Sequence, residues 1–397
     1  MTAILPALAD ALCAVGLVQQ AIGSTLVRVA RHAAAAMPDN APGITVLKPL
    51  HGTEPLLDIA LESFFLQDYP RFQLVFGAAD PDDPALALVA RLQARYRQVD
   101  VATVTGPHRE GRNRKVANLI AMRSAARYDL LVISDADMHV APDFLNGIAG
   151  SLSRPEAGLA TTFYTGLPAN GALAARLGAM QINHGFLPGA AIARALGRQD
   201  CLGATMALRG ADLDRIGGFE ALLDHLADDN VLGQRIRATG KQVVLAPALP
   251  ATSVPEATFA ALMRHELRWA RTIRALVPFS YAGMITQFPL FWAVAALLLA
   301  GGATWTWIGL ALAAGLRYVI ALHFERRLGF SGRGLGAPAL ASTPAPWLFL
   351  LRDMVSAAIF AMSFWSDTVE WRGNVLEADS GRSDSGRQAE AAPRHMN

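Results

Sequence analysis

Apolar stretches long enough to meet a bilayer stand near both ends of this 397-residue chain, so whatever lies between them must fold beside a membrane. Residues 4–27 are mostly apolar, interrupted by Asp10, Gln19 and Gln20. They lack a basic start and a small-residue cleavage site, which speaks against a removable secretory signal. Arg28, Arg31 and His32 follow at once, and by the positive-inside rule they hold the next segment in the cytoplasm. An N-terminal membrane anchor is therefore expected over 1–30, either as a span or as a helix lying in the interface. Residues 285–300 and 305–323, joined by Gly301-Gly302-Ala303-Thr304, predict a transmembrane hairpin over 285–323. Glu325, Arg326 and Arg327 then mark a cytoplasmic loop, and a Gly/Pro-rich linker runs over 329–346. A last apolar stretch, 347–365, places a C-terminal membrane segment at 345–373. Its Arg352-Asp353 pair suits the headgroup level, a protein-lined cavity or a re-entrant element. The Ser/Gly/Arg/Asp-rich tail, 378–397, is expected to be disordered.

Composition supports contact with lipid. Only 17% of residues are charged, against about 25% in an ordinary soluble domain. A formal net charge of +2 gives no support to a nucleic-acid binder that relies on overall positive charge. The two cysteines, Cys13 and Cys201, are far apart and have no metal-ligand spacing. They exclude a disulfide framework and a thiolate zinc site, and they agree with a reducing, cytoplasmic compartment.

Between the anchors, 44–275 alternates short apolar runs with longer helical patterns. Strands are predicted at 44–48, 73–77, 101–104 and 130–134, with helices at 55–66, 85–96 and 115–126. Such alternation predicts an α/β domain with a mostly parallel sheet, which binds ligands at the carboxyl ends of its strands. An interfacial helix is expected at 257–275.

Several carboxylates fall where such a sheet would bind something. Asp135 and Asp137 directly follow the apolar run 130–134, a spacing that presents oxygens to Mg²⁺ or Mn²⁺ or forms a solvated turn. Asp80 lies just past 73–77 and can meet a nucleoside, while Asp82 or Asp83 can cap the helix beginning near Pro84. Asn113, Lys115 and Asn118 open the next helix, either to hold a uridine or diphosphate or as a solvated helix start. Asp228 and Asp229 begin an amphipathic helix; one can cap it and the other can act as general base, or both are a capping pair. His265, Arg268 and Trp269 share one face of the interfacial helix, with Arg264, Arg271 and Arg274 around it. That face suits a leaving diphosphate or anionic lipid headgroups. Residues 201–205 lie between the two acidic pairs, where Cys201 can line a pocket or pack in the core.

In this order the residues resemble the ceramide glucosyltransferase-like branch of the processive-type GT-A glycosyltransferases. Lys48-Pro49-Leu50-His51-Gly52 resembles the family's opening strand and turn, and 64–70 the end of its next helix. The resemblance implies a Rossmann-like GT-A domain facing the cytoplasm between N- and C-terminal transmembrane helices. Asp80 matches the aspartate expected at the nucleotide, Asp135 and Asp137 the metal pair, and Asp229 the catalytic base. His265 to Trp269 matches the Gln/Arg-x-x-Arg-Trp motif with Arg268 and Trp269 intact, but departs from it at His265. Trp371-Arg372-Gly373 resembles the end of the last membrane segment.

The run from His265 to Arg274 looks more like a bacterial hopanoid-associated branch, taken to add N-acetylglucosamine to a polyhydroxylated hopanoid. The resemblance thus implies an inverting, metal-dependent hexosyltransferase in the bacterial inner membrane, spanning it several times. Its donor is a UDP-sugar, bound with Lys48, Asp80, Asn113, Lys115, His265, Arg268 and Trp269. The acceptor is a membrane lipid, either a hopanoid such as bacteriohopanetetrol or ceramide. A processive polysaccharide synthase and a non-catalytic membrane scaffold are the rival expectations.

Overall fold

The computed structural model describes residues 4–27, 41–106, 111–328 and 344–366, and the backbone of 368–371 and 374–377. Arg28, Arg31 and His32, most of the 329–346 linker, the 371–373 side chains and the 378–397 tail lie outside the described residues.

Helix α1 (Ile4–Leu26) is followed by an alternating run: β1 (Ile44–Pro49), α2 (Leu57–Phe65), β2 (Phe72–Ala78), α3 (Pro84–Arg95), β3 (Asp100–Thr105), α4 (Arg114–Arg123) and β4 (Leu130–Ser134). These four strands pair in parallel, with β1 between β2 and β4. Unbroken apolar runs form them because both sheet faces are covered. Val46, Leu74 and Phe76 pack toward Phe64 and Phe144 on one side. Leu47, Val75 and Ile133 pack toward Leu119 and Met122 on the other.

The chain continues through β5 (Met138–His139), α5 (Phe144–Leu152), β6 (Ala157–Thr161), β7 (Thr165–Pro168) and α6 (Leu173–Gln181). A π-helical turn at Ile182–Phe186 leads into α7 (Leu187–Ala195), β8 (Thr205–Arg209), α8 (Gly210–Arg215), α9 (Asp228–Ala238), β9 (Gln242–Leu245) and β10 (Ala251–Val254). The main sheet runs β3-β2-β1-β4-β8-β6-β9, with β8 antiparallel to its neighbours. A small sheet, β5-β10-β7, adjoins the turn that follows β4. The expected fold class, an α/β domain with a mostly parallel sheet flanked by apolar helices, is what the chain forms.

The remaining elements are α10 (Phe259–Leu276), α11 (Pro278–Gly283), α12 (Pro289–Leu299), α13 (Thr304–Leu328), α14 (Pro346–Met362) and a hairpin of β11 (Thr368–Trp371) and β12 (Asn374–Glu377). Among the described residues, Ile4–Leu26, Thr304–Leu328 and Pro346–Trp365 are long and apolar enough to cross a membrane. Exposed Ile4, Leu8, Val15 and Ile22 on α1, and Trp307, Leu312, Leu316 and Val319 on α13, suit lipid chains.

The first arm of the expected 285–323 hairpin is not a continuous helix. Pro278–Gln287 and Pro289–Leu299 meet at a 67° bend. Pro289 has no backbone N–H to continue the preceding turn and occupies the first helical position, so the helix restarts there. Eleven residues then rise only about 16 Å, half of a hydrocarbon core. Arg352 and Asp353 are both buried within protein: Asp353 accepts from the Leu290 N–H at 2.9 Å, and Arg352 pairs with Glu266.

Candidate active site

The parallel strands β1, β2 and β4 end on the same edge of the sheet. Lys48 is fully buried, its Nζ donating to the Asp135 carbonyl at 2.5 Å and lying 3.8 Å from the centre of the Phe64 ring. Burial lowers its pKa to about 7, with Asp137 and Asp135 working against that and Lys115 adding to it. Lys115, in the first turn of α4, sets its Nζ 2.6 Å from Asp135 Oδ1 and donates to the Gly203 carbonyl at 3.3 Å. Burial opposes its charge, yet Asp135, Asp228 and Asp229 outweigh burial and hold Lys115 above its ordinary pKa. One ammonium therefore ties α4 to the end of β4 and lies within electrostatic reach of Asp228 and Asp229 at the start of α9.

Asp137 turns back toward β10, where the Thr252 hydroxyl donates to its carboxylate and the Ser253 N–H to its carbonyl at 3.2 Å. Loss of solvent, then the neighbouring Asp135, pushes its pKa up to about 6. Two neighbouring carboxylates at the end of β4 fit a hard divalent cation. No third His, Cys, Asp or Glu joins them in a metal-binding group among the described residues. The other positions around such an ion would fall to phosphate oxygens and water.

At the start of α9 the N-cap residue is Ala227, which makes no side-chain capping hydrogen bond. The expectation that Asp228 or Asp229 caps it is corrected: both carboxylates belong to the first turn and face the site. Asp228 Oδ1 accepts from Asn113 Nδ2 at 3.2 Å, while its Oδ2 is buried without a hydrogen-bond partner among the described residues. Asp229 Oδ1 accepts the Asn230 N–H at 2.7 Å. Burial and then Asp228 raise the Asp229 pKa to about 6, offset by the Asn230 and Gly203 N–H groups and by Lys115.

Gly203 makes room for this carboxylate, since a Cβ there would come within 2.9 Å of Asp229 Oδ2. Gly203→Ala is accordingly expected to displace Asp229 and to lower about tenfold or more any activity that depends on that carboxylate. Steady-state kinetics checks this.

The other sequence candidates separate. Asp83 caps α3 by accepting the Ala85 N–H at 2.9 Å, and it also takes the Gly52 N–H at 2.8 Å. Asp80 remains exposed at the end of β2, where it accepts the Asp82 N–H at 2.9 Å. Asn113 is not an open ligand. Its Oδ1 caps α4 through Val116 N–H at 3.1 Å, and its Nδ2 serves the His225 carbonyl and Asp228. Burial thus turns that amide into a support for Asp228. Asn118 donates to the Gly77 carbonyl at 2.7 Å. Cys201 packs in the core beside Leu232, and burial with Asp229 and Asp228 lifts its thiol well above the ordinary range.

Helix α10 is tied to this edge through residues that the sequence did not single out. Glu256 lies four residues past Thr252, within about 14 Å of extended chain, and its carboxylate bonds His265 Nδ1. Burial would raise Glu256, but His265, with Arg268, holds it below the ordinary carboxylate range. The His265 ring stands edge-on to Trp269 with centroids 4.7 Å apart. Trp269 packs in one cluster with Val254, Phe186 and Tyr164. Burial raises the Tyr164 phenol, and Asp229, Asp135 and Asp137 add to the shift, so Tyr164 lies between the motif helix and the acidic cluster. Its only sequence signal is its place three residues past β6, a strand the sequence reading did not resolve.

The sequence model of glycosyl transferase family 21 matches residues 8–384. Ceramide glucosyltransferase 1 of Caenorhabditis elegans is 23% identical over 364 residues, which cover 89% of this chain and 75% of the relative. Ceramide glucosyltransferase of Komagataella phaffii is 32% identical over 122 residues, 30% of this chain and 24% of that one. Among solved structures, the mannosyltransferase PcManGT from Pyrobaculum calidifontis, in complex with GDP-Man and Mn2+, is similar at a TM-score of 0.49 and 18% identity. It covers 91% of this chain and 99% of its own.

Proposed function

Because the chain belongs to glycosyl transferase family 21, we propose that this glycosyltransferase moves one sugar from a UDP-sugar to a hydroxyl of a membrane lipid, inverting the anomeric carbon. The observation that carries the reading is the convergence of Asp135, Asp137, Lys115 and Asp229 on one sheet edge, with the motif helix α10 tied to it through Glu256.

In this mechanism Asp229 takes the proton of the acceptor hydroxyl. The freed oxygen attacks the anomeric carbon from the face opposite the donor phosphate, and the carbon–oxygen bond to the diphosphate breaks as UDP leaves with the electron pair. Asp135 and Asp137 would hold a divalent cation, which when bound supplies positive charge to the diphosphate. Lys115 keeps Asp135 in place, Arg268 and Trp269 steady the leaving group, and Asp80 meets the nucleoside. Lys48 props the turn between the two metal-pair carboxylates through the Asp135 carbonyl.

The sugar is N-acetylglucosamine or glucose, and the acceptor is a hopanoid such as bacteriohopanetetrol, a reading supported by the run from His265 to Arg274. A second reading, transfer of glucose to ceramide, is supported by the named relatives. We place the catalytic domain on the cytoplasmic face of a bacterial inner membrane. Purified protein offered UDP-glucose and UDP-N-acetylglucosamine against both lipids, with products weighed by mass spectrometry, separates these readings. Donor hydrolysis with neither lipid modified would sink the lipid acceptor, and a polymeric product would mark a polysaccharide synthase.

A base raised to about 6 sets the pH response. The kcat/KM for transfer is expected to fall about tenfold per unit as pH drops below that value. Stability moves the other way. The folded chain holds this proton more tightly than the unfolded one, so the contribution is full below the unfolded value near 3.8 and is lost as pH rises through about 6. A pH–rate profile flat from 5 to 8 would contradict the assignment.

A further inference from the structure

Resting on the transferase reading above, we propose that Arg352 of α14 is the positioning residue for the motif helix α10, acting through Glu266. Arg352 and Glu266 are 3% and 8% exposed, and they meet in a two-pronged contact, Nη1–Oε1 at 2.8 Å and Nη2–Oε2 at 2.7 Å. The same guanidinium donates to the Leu177 carbonyl at 3.1 Å and to Ser356 Oγ at 3.1 Å, and that hydroxyl donates to Gln181 Oε1 at 3.1 Å. One side chain thus fastens α14 to both α10 and α6.

Glu266 directly follows His265, so it sits about 100° around the helix from the motif face. It shares its side with Leu262 and Ala270, the other buried residues of α10. The helix is therefore held on two sides, by Glu256 at His265 and by Arg352 at Glu266. Just past α6, the Asn183 side chain clasps the Gly166 N–H at 2.8 Å and its carbonyl at 3.0 Å. Gly166 belongs to β7, which pairs with β10, the strand leading to Glu256. The contacts close into a ring: β10, Glu256, α10, Arg352, α6, Asn183 and β7. Within that ring the place of Arg268 and Trp269 is fixed by where α14 sits.

A planar fork making four hydrogen bonds admits one arrangement of three helices, which a lysine cannot reproduce. Buried ion pairs add little net stability over apolar replacements, so geometry is the better account of a pair kept inside these helices. A misplacement of about 1 Å at a reacting centre costs roughly a hundredfold in rate.

The test uses full-length protein in detergent, with kcat expressed per UDP-binding site and the donor KM measured alongside. Arg352→Lys and Glu266→Gln are expected to lower kcat about 10- to 100-fold while the donor KM changes less than about threefold. The double variant Glu266→Leu with Arg352→Leu leaves no unpaired buried charge, so it is expected to stay folded and bind UDP yet lose kcat to the same extent. Hydrogen exchange over 259–276 is expected to quicken in Arg352→Lys. A double variant with wild-type kcat per UDP site would overturn the proposal, because it would make the pair a fold element only. Unchanged exchange over 259–276 would overturn it as well, and that readout needs no acceptor. Wild-type protein that glycosylates no lipid would instead remove the functional reading and leave the exchange test of Arg352 standing.

Discussion

Asp229→Asn is expected to lower sugar transfer by about 10²- to 10⁴-fold, the usual worth of a positioned general base, while UDP binding changes little. The substitution is mild for the fold, because the amide oxygen of Asn can still accept the Asn230 N–H that Asp229 Oδ1 now takes. It removes the proton acceptor and one of the two oxygens that the Asn230 and Gly203 N–H groups share. Burial and the adjacent Asp228 have already raised the affinity of this carboxylate for a proton, which suits a group that must take one from an alcohol. Turnover of the purified variant, set beside UDP affinity by calorimetry, gives the answer. Normal turnover would mean that another group is the base.

The second large effect is expected at Asp137. Asp137→Asn keeps an oxygen for the Thr252 hydroxyl, so the β10 contact survives, but it deletes one of two charges gathered at the end of β4. UDP binding in the presence of Mn²⁺ is expected to weaken by tenfold or more, and transfer to fall about a hundredfold or more. Titrating UDP with and without Mn²⁺ checks this. If Mn²⁺ strengthens UDP binding equally in both proteins, Asp137 does not help to hold the ion.

How far these residues could be read from the sequence depends on what encloses them. Val46-Leu47, Leu74-Val75-Phe76 and 130–133 are covered on both sheet faces, so they appear as unbroken apolar runs, and the parallel half of the sheet followed from them. Asp80, Asp135 and Asp137 stood out because each comes just after such a run. Strands β6 to β10 are two sheets' worth of four- or five-residue pieces rich in Thr, Gly and Ala, too short for any period to show. Tyr164, Thr252 and Glu256 lie in or beside these pieces and carry no sequence signal of their own.

Asn113 was legible as a residue but not as a role. An amide at a helix start looks the same whether it faces a ligand or caps its own helix, and only the fold brings Asp228 and His225 against it. Arg352 posed the reverse problem. Its charge in an apolar stretch leaves the headgroup level, a protein-lined cavity and a re-entrant element open, and Glu266 lies 86 residues away, beyond any local pattern. The 285–300 stretch carries no charge and so reads as one arm, whereas Pro289 breaks it.

The account rests on one carboxylate base acting opposite a departing diphosphate, and the configuration of the product tests that most directly. UDP-glucose and UDP-N-acetylglucosamine carry the sugar in α linkage. Proton NMR of the purified glycolipid, reading the coupling constant at the anomeric position, is expected to show a β linkage to the lipid hydroxyl. An α-linked product would contradict single-step displacement with Asp229 as the base.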